Sequence, residues 1–199
     1  MCILIMIENN LEIFYNKNIQ TDIKIINEII SKIKSIENSK MLVFGLGFDS
    51  ELWYNATNKN TFFVENNKKY IDINKNINVS NIIYCDYGSI RVKDNIPNYP
   101  NEKYIDPPLS IVSNAPYDII FVDGPTGYNS EQIGRVLPIY WISNFNLCKA
   151  DTLIYVDDSN RHLENLSLNT FFNSNFKLLY KLNIRGGCSV YQYMPNKKN

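Results

Sequence analysis

The sequence predicts an α/β fold: a Rossmann-like, doubly wound, mostly parallel sheet that ends in an antiparallel hairpin. Three observations predict it. Runs of strand length alternate with segments of helical period. The runs are apolar throughout, as strands covered on both faces are. Four of the five predicted strand ends carry an acid at or beside the last position, at Glu65, Asp86, Asp123 and Asp157. With 199 residues the chain can bury a substantial core, and 1–199 is expected to form a single domain. Within it, 1–40 is an N-terminal segment whose amphipathic helix packs on the sheet.

The elements follow in order. Ile23, Ile26, Ile30 and Ile33 recur at helical spacing, widened by Ile25, Ile29 and Ile36, and predict a helix over 21–37 capped by Thr21 or Asp22. Residues 41–44 form a buried strand that enters the tight turn Gly45-Leu46-Gly47, and 49–57 a short helix. A second strand over 61–65 leads to a helix over 66–74, and a third over 81–85 leads to Asp86. Residues 94–116 carry five prolines and little periodicity, which predicts a long loop. Residues 117–123 form the most apolar strand, followed by a helix over 130–147 that contains Pro138. A strand over 152–157 precedes a helix over 161–172. The alternating runs 176–182 and 189–194 pair around Gly186-Gly187 as the closing hairpin.

Composition narrows the function. Lys+Arg and Asp+Glu both number 20, so the formal net charge is zero and no long-range field draws the chain to nucleic acid or anionic membrane. A nucleic-acid partner is not expected. Cys2, Cys85, Cys148 and Cys188 are widely spaced and read as free thiols of a reducing compartment. With one histidine, His162, a Cys/His zinc site is not expected either. The apolar start 1–7 is too short to span a bilayer and lacks a basic flank. These features predict a soluble intracellular, cytoplasmic protein with no signal peptide and no membrane span. The wealth of Asn, Ile and Lys is read as genomic bias, without functional meaning.

In an open α/β sheet, ligands sit beyond the carboxyl ends of the strands. That places the candidate site at 45–50, Glu65, Asp86, 123–127 and 157–161. Gly45 and Gly47 let a ligand approach the backbone, and Ser50 stands where a dinucleotide fingerprint has its third glycine. Asp49 is a partner for a cationic amino group. Glu65 lies 18 residues after Gly47, close to the interval of about 20 at which an acid accepts ribose hydroxyls. The alternative for Glu65 is a cap on the next helix, and Asp86 either meets a base amino group or serves its own loop. Asp123, Asp157 and Asp158 end adjacent strands. Either they hold a hard divalent cation through oxygen, or one of them is a general base and the others are structural. His162 reads as a surface or capping residue at a helix start.

At these residues the chain resembles the glucuronoxylan 4-O-methyltransferase-like family of polysaccharide-biosynthesis methyltransferases. Residues Leu42 to Ser50, with Trp53 after them, resemble the family's L-V-F-G-L-G-H-D-S…W block. Tyr117 to Arg135, containing V-D-G-P, Gly127-Tyr128 and Gly134-Arg135, resemble its second block, and Asp158-Ser159-Asn160-Arg161 with Glu164 a third. The resemblance implies the class I methyltransferase form of the fold, S-adenosylmethionine as cofactor and transfer of a methyl group to a sugar hydroxyl of a glycan. The 4-hydroxyl of glucuronic acid is the first acceptor it implies. Gly45, Gly47, Asp49, Ser50, Glu65 and Asp86 would hold the cofactor. Asp123 and Asp158 would lie at the reacting centre, and Tyr128, Arg135 and Arg161 would meet the acceptor. Arg135 has the alternative of pairing with Glu131. Phe48 and Asp157 stand where the family has histidines, Gln132-Ile133 where it tends to have Ala-Pro, and no counterpart of the plant enzymes' membrane anchor is seen. Two other functions stay open: a metal-dependent O-methyltransferase for a small molecule, and a non-catalytic accessory protein of glycan assembly.

Overall fold

The computed structural model describes residues 19–94 and 104–195. The apolar start, Cys2, Pro97 and Pro100 lie outside the described residues. Helix α1 (Ile23–Ser35) begins where the Asp22 carboxylate accepts the Lys24 N–H at 2.8 Å, and ends with Lys32 and Lys34 in its last turn. It buries Ile25, Ile26, Ile29, Ile30 and Ile33, each such side chain contributing roughly 1.5–3 kcal/mol. Then follow β1 (Met41–Phe44), α2 (Ser50–Ala56), β2 (Thr61–Glu65), α3 (Lys68–Ile73), β3 (Ile82–Tyr84), α4 (Leu109–Ser113) and β4 (Tyr117–Val122). The chain continues through α5 (Val136–Asn144), β5 (Cys148–Asp157), α6 (His162–Phe171), β6 (Phe176–Leu182) and β7 (Cys188–Tyr193).

The seven strands form one sheet in the order β3-β2-β1-β4-β5-β7-β6. Strands β1 to β5 are parallel to one another, and β7 runs antiparallel to both β5 and β6. The strands alternate their side chains between two cores. Leu42, Phe44, Ile120, Val122, Ile154 and Val156 pack with Trp141 of α5 and Leu168 of α6. Met41, Val43, Phe63, Phe121 and Tyr155 pack with the isoleucines of α1 and Trp53 of α2 on the other face. Helices thus cover both faces, as apolar parallel strands require. Strand order reverses between β1 and β4, so a crevice opens beyond their carboxyl ends.

Three expectations are corrected. The helix expected from residue 130 begins at Val136. The Gln132 side-chain oxygen accepts the N–H groups of Tyr128 and Asn129, and Gly134 takes φ +74°, so this stretch is a closed loop. Pro138 then falls in the helix's first turn, where its missing N–H costs nothing. The expected loop 94–116 contains the short helix α4. Strand β5 starts at Cys148, four residues early, because Thr152 Oγ accepts the Lys149 N–H and donates to the Tyr117 carbonyl, tying an irregular polar stretch to β4. No described helix is long and apolar enough to cross a membrane.

Candidate active site

Close packing at the switch point shapes the crevice. Gly45 adopts φ +113°, and a Cβ there would stand 3.2 Å from the Gly124 nitrogen. A Cβ on Gly124 would in turn stand 3.0 Å from the Gly45 Cα. Only glycines let the turns after β1 and β4 touch in this way. The Asp123 and Gly124 N–H groups both donate to the Phe44 carbonyl, closing the contact. Above it lies a cavity of about 800 Å³, within the range of small-molecule sites. Gly45, Gly47, Asp49, Glu65, Asp123, Tyr128, Arg135, Asp157, Asp158 and Arg161 all line it. Residues scattered over the sequence are therefore gathered on one rim.

On the β1 side, Asp49 is 6% exposed. Its Oδ2 accepts from Thr21 Oγ at 2.8 Å and Trp53 Nε1 at 3.0 Å. The other oxygen, Oδ1, lies over Gly47, where a Cβ would approach it to 2.9 Å, and accepts no side-chain or backbone donor from another described residue. Burial first, and the charge of Asp123 second, push this carboxyl up to about 6. Ser50 does not line the cavity. Its Oγ accepts the Gly47 N–H at 2.8 Å, so it holds the loop's shape.

Glu65 ends β2 with both oxygens engaged. Oε2 accepts the Leu46 N–H at 2.8 Å, and Oε1 accepts the N–H groups of Asn66 and Asn67 at 2.8 and 2.6 Å. Burial raises its pKa in spite of these bonds. A carboxylate has about four acceptor positions, so one remains on Oε2. Asp86 stands apart: it is absent from the cavity wall, and its Oδ1 accepts the Gly88 N–H at 2.9 Å. The physical reason is the turn after β3. Tyr87 at φ 56° buries its ring against Trp141, with centroids 5.6 Å apart, and Asp86 is left exposed, capping its own loop.

On the β4–β5 side, Arg135 is 3% exposed and organises three acids. Its Nη1 donates to the Asp157 carbonyl and its Nη2 to the Asp123 carbonyl. Nη2 also pairs with Asp158 Oδ2 at 2.9 Å and stands 3.3 Å from Asp123 Oδ1. Arg161 Nη2 reaches the same Asp158 oxygen at 2.8 Å. The alternative pairing of Arg135 with Glu131 is thus corrected. Its fork is occupied inside the protein, and Glu131 pairs with Lys93 at 2.7 Å instead. Fully buried Glu164 lies nearby; burial raises its pKa, while Arg135 pulls it down. Asp123, Asp157 and Asp158, the alternative metal ligands, all line this side of the cavity. Among the described residues no three His, Cys, Asp or Glu side chains gather as a metal-binding group. The Arg135 cation stands between Asp123 and Asp158. His162 is exposed at the start of α6.

The structure adds residues that the sequence reading missed. Gln20, Thr21 and Asp22 form one wall ahead of α1, and Phe48, Asn66, Asn67 and Tyr70 another. Phe48 and Tyr70 meet edge to face at 6.4 Å. Arg185 is exposed on the lip, in the turn between β6 and β7. A signal for it existed. If β7 returns antiparallel from the end of β5, the turn preceding β7 must lie beyond Asp157. Asp157 pairs with Cys188, and the N–H groups of Ser159 and Asn160 donate to the Gly187 and Gly186 carbonyls.

No protein-family model matches the chain. It is similar to glucuronoxylan 4-O-methyltransferase 2 of Arabidopsis thaliana, with 29% identity over 148 residues, 62% of this chain and 50% of that protein. The chain therefore spans about half the length of this curated relative. Among solved structures it is similar to a SAM-dependent O-methyltransferase from Thermotoga maritima, with TM-score 0.54, 10% identity, and 94% and 72% of the two chains covered. A precorrin-6y C5,15-methyltransferase from Geobacter metallireducens matches with TM-score 0.53, 13% identity, and 90% and 92% covered. These likenesses establish the fold as that of class I methyltransferases, with the expected C-terminal antiparallel pair.

Proposed function

We propose that this chain transfers the methyl group of S-adenosylmethionine to a sugar hydroxyl of an acidic glycan, with the 4-hydroxyl of glucuronic acid as first candidate. One observation carries the cofactor assignment: the open Asp49 oxygen over Gly47 and the Glu65 carboxylate flank one glycine turn at the switch point. An unpaired buried carboxylate suits a cationic amino group, and Glu65 suits ribose hydroxyls. The Gly45–Gly124 contact leaves room for a ligand against bare backbone. Ser50 serves by shaping the turn, and Asp86 takes no part. When bound, the cofactor supplies a methyl group on a sulfonium, open to in-line displacement.

The rest falls to the chain's own residues. The β4–β5 acids stand beside the cofactor side of the same cavity, where a hydroxyl proton must be removed. Arg161 and Arg185 on the rim fit an anionic sugar, because a guanidinium matches a carboxylate in two contacts. Tyr128, 71% exposed on the same cavity, offers a ring face to a sugar. The similarity to a glucuronoxylan methyltransferase supports a glycan acceptor. Incubation with methyl-labelled S-adenosylmethionine and a panel of acidic and neutral oligosaccharides tests the reading. Label is expected in oligosaccharides that carry glucuronic acid. Label in none of them counts against the proposal, as does equal labelling of neutral ones.

A further inference from the structure

Three carboxylates crowd the β4–β5 rim, and among the described residues a guanidinium contacts the side chains of Asp123 and Asp158 but not that of Asp157. We propose that Asp157, and neither Asp123 nor Asp158, is the general base for the acceptor hydroxyl; this rests on the methyl-transfer reading above. Asp158 Oδ2 is shared between Arg135 at 2.9 Å and Arg161 at 2.8 Å. Two guanidiniums thus occupy that oxygen and close it to an acceptor hydroxyl. Asp123 Oδ1 stands 3.3 Å from Arg135. Arg135 binds Asp157 only through its main-chain carbonyl. Asp157 lines the cavity, and its carboxylate has no ion pair and no hydrogen bond from another described side chain, only one from the Asp158 backbone.

Position and electrostatics agree. Asp157 is the last residue of β5 and is held in register opposite Cys188 of β7. The groups facing it are Asp123 from the end of β4, Asp158 beside it, Arg135 from before α5 and the Cys188 thiol. Burial and then Asp123 push its carboxyl up to about 7, outweighing the opposing pull of Arg135. A base that titrates near working pH combines an available acceptor with a real affinity for the proton. In the step, a lone pair of the hydroxyl oxygen forms the new C–O bond to the methyl carbon while Asp157 takes the hydroxyl proton. The C–S bond breaks with its electron pair going to sulfur, which leaves neutral S-adenosylhomocysteine. Asp157 then returns the proton to solvent.

The test is Asp157→Asn, which keeps the size of the side chain and removes the acceptor. With a glucuronic acid-bearing xylo-oligosaccharide, kcat is expected to fall by about 10²–10⁴-fold. Affinity for S-adenosylhomocysteine should stay within about threefold. The wild-type kcat should rise with pH to a plateau above about 7, and that rise should vanish in Asp157→Asn but persist in Asp123→Asn. Carboxyl-labelled protein should show two aspartate resonances with elevated titration, near pH 6 and near pH 7, of which the one near 7 disappears in Asp157→Asn. If the wild type transfers methyl groups and Asp157→Asn keeps its kcat or its pH limb, this assignment is overturned alone. If the wild type methylates no hydroxyl acceptor, the methyl-transfer reading falls and takes the assignment with it.

Discussion

Arg135→Met is expected to lower the melting temperature by roughly 6–12 °C at pH 8 and by clearly less at pH 5.5. Methionine keeps much of the buried stem but removes the charge that Asp123, Asp158 and Glu164 face. Taking one partner from a buried ion pair costs about 3–5 kcal/mol, because the other charge is left uncompensated. Asp123 keeps a side-chain exposure of 35%, so the low end, about 3 kcal/mol, is appropriate. For a chain of this size each kcal/mol moves the midpoint by roughly 2–4 °C. The pH dependence follows from proton linkage. Burial raises the carboxyls of Glu164 and Asp157 and Arg135 opposes it, so without Arg135 both hold protons still more tightly in the folded state than in the unfolded one. The folded state then binds more protons, and stability falls as pH rises. Thermal melts of both proteins at the two pH values check this. Equal midpoints would mean that the guanidinium does not balance these acids.

Glu65→Gln is expected to weaken S-adenosylhomocysteine binding by about 1.5–3 kcal/mol, or roughly tenfold to a hundredfold, as for hydrogen bonds to a charged group. One oxygen of the amide can still accept from Asn66 and Asn67, but its nitrogen then faces the Leu46 N–H and no acceptor is left for ribose. Glutamine is preferable to alanine because it preserves most of the loop's bonding, so the loss reports on the ligand. Titration calorimetry on the folded variant gives the answer. Unchanged affinity would reduce Glu65 to a cap for α3.

Much of the fold was legible because its signals are local. An apolar run such as Ile119-Ile120-Phe121-Val122, short and rich in β-branched and aromatic residues, reads as a strand buried on both faces, and Gly45 is demanded by a turn at φ +113°. The glycine turn and the acids at strand ends were legible for the same reason: parallel strands deliver their last residues to one edge. What escaped depends on distant partners. Asp86 carries the expected spacing, yet the buried Tyr87 ring decides which way it faces. Arg135 could not be assigned from its neighbours, because its partners Asp123, Asp157 and Asp158 come from two other strand ends. The role of Thr21 likewise depends on Asp49, 28 residues away.

The proposed chemistry requires the turn after β1 and the end of β2 to form a site for a sulfonium nucleoside. Titration of the wild-type chain with S-adenosylmethionine in a calorimeter decides whether they do. A single site of micromolar affinity is the predicted result. No heat of binding at millimolar ligand, from a protein that still melts cooperatively, would contradict it.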